Sequence, residues 1–276
     1  MLISQLPDQE YHSKPHLSSH QLKEFMRSPA HYQALLARKR TRASKAMEVG
    51  TCIHMALLEP ERFQNAVLWE ESCDRRSKAG KELYNEWLLS VRHDHIVISG
   101  RSTRPEIDNI VIGATDLDNI RGMQEAYYKQ SWVAEIHSDG SDHENELSVF
   151  QEFEGVELRS RFDKVINRDI LLDVKKTQDA NPRTWKYDFL RYGYGYQMAF
   201  YRMMFRLEFG KMPSDVVIVA IEEQYPHAVV PYIIPSYKLD EYEGKIIENI
   251  STFKQCSDLN EWPSYCPGKM IVLDLE

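Results

Sequence analysis

Two carboxylates and an ammonium stand in a stretch that otherwise reads as core. Residues 159–177, RSRFDKVINRDILLDVKKT, set Asp163, Asp173 and Lys175 among Phe162, Val165, Ile166, Ile170, Leu172 and Val174. A fold keeps charges in such company only where they are solvated, paired or bound to something, because an unpaired buried charge costs several kcal/mol. In Ile170-Leu171-Leu172-Asp173-Val174-Lys175, strand alternation points Leu171, Asp173 and Lys175 one way and Ile170, Leu172 and Val174 the other. Asn167-Arg168-Asp169 is a turn-prone triplet between two β-branched runs, which predicts a hairpin with arms Arg161–Ile166 and Ile170–Lys175. A three-residue loop pairs Ile166 with Ile170 and places Asp163 opposite Asp173. Directly opposed Cβ atoms lie about 5 Å apart, where like charges repel. A divalent cation between the carboxylates removes the repulsion and accounts for both; an exposed hairpin face carrying ordinary charges accounts for the same residues.

Other groups could serve the same chemistry. In GTCIHMALLE (50–59), His54 falls at the flank of an apolar helical stripe, a position that a merely packed histidine also takes. Gln197 and Tyr201 are spaced i, i+4 and project from one helix face, as packing residues in an aromatic row also do. Two basic clusters stand out: 38–45, with Arg38, Arg40 and Arg42, and 75–81, with Arg75 and Arg76. Such runs are solvated segments or phosphate sites, and gain meaning only beside a catalytic centre.

The elements that would position these groups follow from periodicity. Ser18 and Gln21 form a capping-box pattern with Leu17 and Leu22 as a staple, so a helix starts there and stops near Ser28-Pro29. Ala46, Val49, Ile53, Ala56 and Leu57 recur at helical spacing before Pro60, and this helix carries His54. Residues 81–92 and 105–130 read as mostly helical, 145–175 as strands, and 187–209 as one long helix closed by Gly210. Strands over 215–222 and 228–234, a helix over 239–254 and a last strand over 270–275 complete an α/β pattern. The expectation is one domain over 1–276, with a helical part to about 140 and a catalytic sheet core after it.

Composition bounds the rest. The chain has 276 residues, 42% of them hydrophobic, enough for a sizeable core. Its apolar runs are far short of a membrane span, and its N-terminus does not resemble a signal peptide, so a cytoplasmic location without membrane contact is expected. A net charge of −8 excludes a generally basic surface but not a local one. The four cysteines lack CxxC spacing, so neither zinc nor an iron–sulfur cluster is expected.

Taken together the motifs resemble a family. "RFDKV…LLDVKKT" is similar to the core motifs of PD-(D/E)XK nucleases, "GTCIHMALLE" to the histidine motif of their RecB-like branch, and "YQMAFY" to its QxxxY motif, all in the family's order. "LSSHQLKEFMRSPAHY", "DRRSKAGK" and "EWPSY" extend the resemblance to the RecE-like (exodeoxyribonuclease VIII) nuclease domain of prophage recombination systems. The first motif departs from the pattern in having Phe162 where the namesake proline stands, a position that supplies no ligand.

The resemblance implies a restriction-endonuclease-like core, a central mixed sheet flanked by helices. It implies a Mg²⁺-dependent 5′-to-3′ exodeoxyribonuclease that acts on linear double-stranded DNA ends and leaves 3′ tails for a RecT-like single-strand annealing protein. Mn²⁺ would substitute and Ca²⁺ would inhibit. His54, Asp163, Asp173 and the Val174 carbonyl would hold metal, with Glu146 or Glu144 as a further acid. Lys175 would orient water, and Gln197 and Tyr201 would hold the scissile nucleotide or the lysine. One arginine of Arg27, Arg38, Arg40 and Arg42 would receive the 5′-phosphate. A ring-shaped homo-oligomer, a tetramer, would thread the substrate. The alternatives are another RecB-like single-strand or structure-specific nuclease, or a non-catalytic DNA-binding module of the same fold.

Overall fold

The computed structural model describes residues 2–4, 6–38, 44–69, 76–91, 110–136, 141–265, 268 and 270. Within them the chain begins with β1 (Leu2–Ser4), α1 (Asp8–Ser13), β2 (Leu17–Ser18), α2 (Ser19–Arg27), α3 (Pro29–Ala37), α4 (Lys45–Leu58) and α5 (Pro60–Ala66). Next come β3 (Val67–Trp69), α6 (Lys78–Val91), β4 (Ile110–Ile112), α7 (Ala114–Tyr128) and α8 (Ser131–Ile136). The remainder is β5 (His143–Phe153), β6 (Val156–Ile166), β7 (Ile170–Thr177), α9 (Pro182–Tyr192), α10 (Tyr194–Phe209), β8 (Asp215–Glu222), β9 (Val229–Ile233) and α11 (Ser236–Leu259).

One mixed sheet runs in the order β1-β5-β6-β7-β8-β9, with β2 beside β6. Strands β5, β6 and β7 are antiparallel, while β8 lies parallel to β7. Helix α10 packs on β5 and β6 and is itself covered by α2 and α11; α4 packs on β6 and β7 from another core that also includes α7 residues. The first core holds Phe162, Leu171, Phe200 and Phe205, the second Ile53, Leu57, Leu172 and Val174. Leu171 and Leu172 thus divide between the two layers, as the period of a strand requires.

The local signals explain most of this. Ser18 caps α2 reciprocally with Gln21, the Ser18 N–H donating to Gln21 Oε1 at 2.9 Å and the Gln21 N–H to Ser18 Oγ at 3.3 Å. The hairpin loop is the expected triplet, with Ile166 paired to Ile170 and Asn167 and Arg168 in the left-handed region at φ 52° and 49°. The expected helix over 187–209 is instead two. Gly193 at φ 66° ends α9 and starts α10, because the left-handed turn redirects the chain. Gly195 lets α10 meet α11: a Cβ there would stand 2.3 Å from the Tyr242 ring. Within the mostly helical expectation for 105–130, residues 105–109 lie outside the described residues and Ile110–Ile112 is a strand paired with β3, while α7 follows as expected. The N-terminal part is not purely helical either; β1 and β2 join the main sheet through backbone bonding that two- and three-residue segments do not announce. The expected strand at 270–275 lies outside the described residues except Met270. Among the described residues, no helix is long and apolar enough to cross a membrane.

Candidate metal centre

The hairpin register and the neighbouring strand bring three carboxylates into a row. Strand β6 pairs Lys164 with Leu172 of β7 and with Asn145 of β5, and Phe162 with Leu147. By the same count Asp163 falls opposite Asp173 on one side and Glu146 on the other. The regular ladder breaks at this row. Glu146 takes φ 49°, and Phe162 and Val165, three residues apart, both reach the α10 core, which an even pleat cannot do. The Val174 N–H donates to Asp163 Oδ2 at 2.7 Å, so a side chain replaces the ladder carbonyl there.

Helix α4 supplies the imidazole. Ile53 and Met55 are buried in its core and hold the helix against the sheet, which leaves half-buried His54 with Nδ1 3.5 Å from Asp163 Oδ2. His54, Glu146 and Asp163 each offer one ligand atom, all within 4.8 Å of one another. Next along the row, Lys175 Nζ lies 2.5 Å from Asp173 Oδ2. Gln197 on α10 donates from Nε2 to Asp173 Oδ1 at 3.3 Å and to the Tyr201 hydroxyl at 3.1 Å. Phe162 meets the Tyr201 ring edge-on at 5.4 Å, fixing that helix face above the strand.

The electrostatics express crowded negative charge. Burial, followed by the Asp163 carboxylate, pushes the Asp173 carboxyl up to about 6, against the opposing pull of Lys175. The Lys175 ammonium is disfavoured by burial, but Asp173 and Asp163 outweigh that and raise it above the ordinary lysine value. Burial and then Asp173 raise the Tyr201 phenol far above the ordinary tyrosine value, so it stays protonated. One imidazole nitrogen with adjacent carboxylate oxygens suits a divalent cation, magnesium through its oxygens and manganese through both donor types. The donor set therefore fits the ion that the sequence motifs imply.

Residues 18–272 match the family described as a PDDEXK-like domain of unknown function (DUF3799). The chain belongs to this family. No curated protein sequence matches it. Among solved structures, the PDDEXK-like chain is similar to a candidate exonuclease from Eubacterium rectale. That likeness covers 99% of this chain and 96% of the other at 13% identity, with a TM-score of 0.60, and concerns the fold. A second structure, of SSO0001, is 14% identical over 83% of this chain and 98% of that one, but its TM-score of 0.28 carries no argument.

Within the PDDEXK-like fold, His54, Asp163, Asp173, Lys175, Gln197 and Tyr201 come together, and Glu146 rather than Glu144 joins His54 and Asp163. Glu144 lies at the rim, 3.3 Å from Arg168. The expected basic residues are less coherent. Arg27 is exposed and bonded to Glu24 at 2.7 Å, Arg38 is exposed at the end of α3, and Arg76 is exposed before α6. Arg40, Arg42 and Arg75 lie outside the described residues. Two neighbours were missed in sequence. Tyr194 places its ring 5.4 Å from Lys175 Nζ, and the spacing 194, 197, 201 of one helical stripe was the available signal. Arg161 reaches within 4.0 Å of Glu146 from two residues before Asp163.

Proposed function

We propose that this PDDEXK-like chain is a divalent-metal-dependent exodeoxyribonuclease of RecE-like specificity. It would degrade the 5′-ended strand of linear double-stranded DNA and leave 3′ tails for an annealing partner. The observation that supports this most is the convergence of His54, Glu146 and Asp163 within 4.8 Å, beside the Asp173–Lys175 pair. His54, Glu146 and Asp163, with Asp173 next in the row, would hold Mg²⁺ or Mn²⁺. When bound, such an ion supplies charge neutralisation at the phosphate and lowers the pKa of a coordinated water.

The chain's own groups do the rest. Lys175, protonated and held by Asp173, orients the attacking water and offsets charge that develops on the phosphate oxygens. Gln197 fixes the Asp173 carboxylate, and Tyr201 fixes Gln197, so the pair cannot swing away as substrate enters. One of Arg27, Arg38, Arg40 and Arg42 receives the 5′-phosphate. A cyclic homo-oligomer would gather the 38–45 cations around one channel, which offsets the weak grip of a chain with net charge −8. Digestion of linear duplex labelled at either 5′ or 3′ ends, beside closed circles of the same sequence, tests the proposal. Release of the 5′ label first, dependence on Mg²⁺ or Mn²⁺, and intact circles are expected. Nicking of circles, or 3′ label released first, would overturn it.

A further inference from the structure

Helix α9 joins strand β7 to the helix that carries Gln197 and Tyr201. Five of its residues share one face. At about 100° per residue, Lys186, Leu190, Arg183, Tyr187 and Arg191 fall in sequence across an arc of about 140°. All five are exposed, with Tyr187 at 64% and Leu190 at 62%; Tyr192 at the helix end is at 47%. Among the described residues, Arg183, Lys186 and Arg191 are in no ion pair, although the chain carries a net charge of −8. Instead two of them lie over aromatic rings, Lys186 Nζ 5.0 Å from the Tyr187 centroid and Arg191 5.5 Å from that of Tyr192.

The face is held rigidly and leads to the site. Asn181 caps α9, accepting from the Arg183 N–H at 2.9 Å, and buried Trp185 stacks on Tyr232 at 4.4 Å with the rings 1° apart. At the other end Tyr192 stacks on Tyr194 at 5.6 Å, and the Tyr194 ring lies 5.4 Å from Lys175 Nζ. Cations without carboxylate partners, interleaved with exposed flat rings, complement a phosphate backbone with unstacked bases. A duplex offers the phosphates but keeps its base faces stacked inside. From this we infer that α9 is a docking rail for single-stranded DNA, guiding one strand towards or away from the Lys175 side of the site. The inference rests on the nuclease reading above and adds the strand contact to it.

The test is anisotropy of a fluorescein-labelled single-stranded oligonucleotide and of a matched blunt duplex, titrated with the full chain in EDTA. The Arg183→Ala/Lys186→Ala/Arg191→Ala variant should bind the single strand at least tenfold more weakly, and its log K against log salt should flatten by about 2 in slope. Tyr187→Ala/Tyr192→Ala should lose about tenfold with the salt slope unchanged, since stacking releases no counterions. The cation variant alters exposed side chains and should melt with the wild type; Tyr192→Ala also removes the stack on Tyr194, so Tyr187→Ala alone is the stacking variant that should melt with the wild type and still bind the single strand more weakly. Wild-type single-strand affinity in both variants, or equal losses for strand and duplex, would overturn the inference. Cleavage of linear duplex by the wild type in Mn²⁺ decides the level of failure. If cleavage is present, only the rail is lost; if cleavage and DNA affinity are both absent, the nuclease reading falls and the rail with it.

Discussion

Among the described residues, two clusters that bury charge do it in opposite ways. Between α10 and α11, Glu243 accepts from Arg202 at 2.7 Å and from Arg206 at 2.6 Å, while Arg202 also reaches Asp240 at 2.7 Å. Two arginines meet two carboxylates, and the cluster is neutral. In the β5–β6–β7 row, Asp173 lies 2.5 Å from Lys175 and Glu146 lies 4.0 Å from Arg161, Asp163 adds a third carboxylate, and burial and Asp163 drive Asp173 up to about 6. A buried cluster meant only for structure has no reason to leave negative charge in excess. The row has a reason if a cation completes it.

The largest difference is in activity. Asp173→Asn should lower cleavage by at least about 10³-fold. It should leave the melting temperature unchanged or higher, because it removes a carboxylate that the fold holds protonated more readily than water does. Glu243→Gln should do the reverse. It leaves Arg202, whose side chain is only 7% exposed, short of its buried partner, and stability measured by denaturant should fall by about 3–5 kcal/mol. Its cleavage rate per folded molecule should stay at the wild-type value. Loss of activity without loss of stability in Glu243→Gln would erase the distinction between the two clusters.

Next in size is the response to metal. Asp173 binds its proton more tightly folded than unfolded, so its contribution is present below the ordinary aspartate value and is lost as pH rises through about 6. The metal-free chain should therefore lose stability between about pH 4 and pH 6 from this group. A cation favours the ionised form, so Mn²⁺ should raise the melting temperature more at about pH 7.5 than at about pH 5. At a hundredfold excess over its dissociation constant the gain is about 2.7 kcal/mol. Equal shifts at both pH values would place the bound ion away from Asp173.

The smallest effect concerns Lys164, adjacent to the row. It is fully buried, its ammonium has no hydrogen-bond partner among the described residues, and burial lowers it to about 8. Its penalty is present below that value and fades as pH rises towards 10.5. Lys164→Met should therefore stabilise the chain by about 1–2 kcal/mol at neutral pH, less at about pH 10, in a thermal melt. A destabilised variant would show that the ammonium is satisfied by a ligand.

Much of this was legible in the sequence, for identifiable reasons. The hairpin register follows from the Asn167-Arg168-Asp169 triplet and the alternation after it, and both survive because each face of β7 packs into its own core layer, so a one-residue slip would exchange the two sets. Helical spacing sets His54 at the flank of the apolar stripe and Gln197 and Tyr201 on one helix face, while their place at the site came from the family resemblance. The face switch at Glu146 and Asp163 does not, because alternation presumes an even pleat and a non-glycine residue at φ 49° carries no sequence signal. The break at Gly193 was hidden for a related reason: helical periodicity continues across it, and a glycine inside a helical pattern is tolerated as often as it turns the chain. The α9 face was overlooked because its three cations are interleaved with aromatics, whereas the denser run at 38–45 drew the expectation of DNA contact.

The most direct measurement of the central claim is anomalous diffraction from crystals soaked in Mn²⁺. A peak is expected within about 2.5 Å of an Asp163 carboxylate oxygen and of His54 or Glu146, lost in Asp163→Asn. No peak in the row, with Glu146, Asp163 and Asp173 ordered as described here, would contradict it.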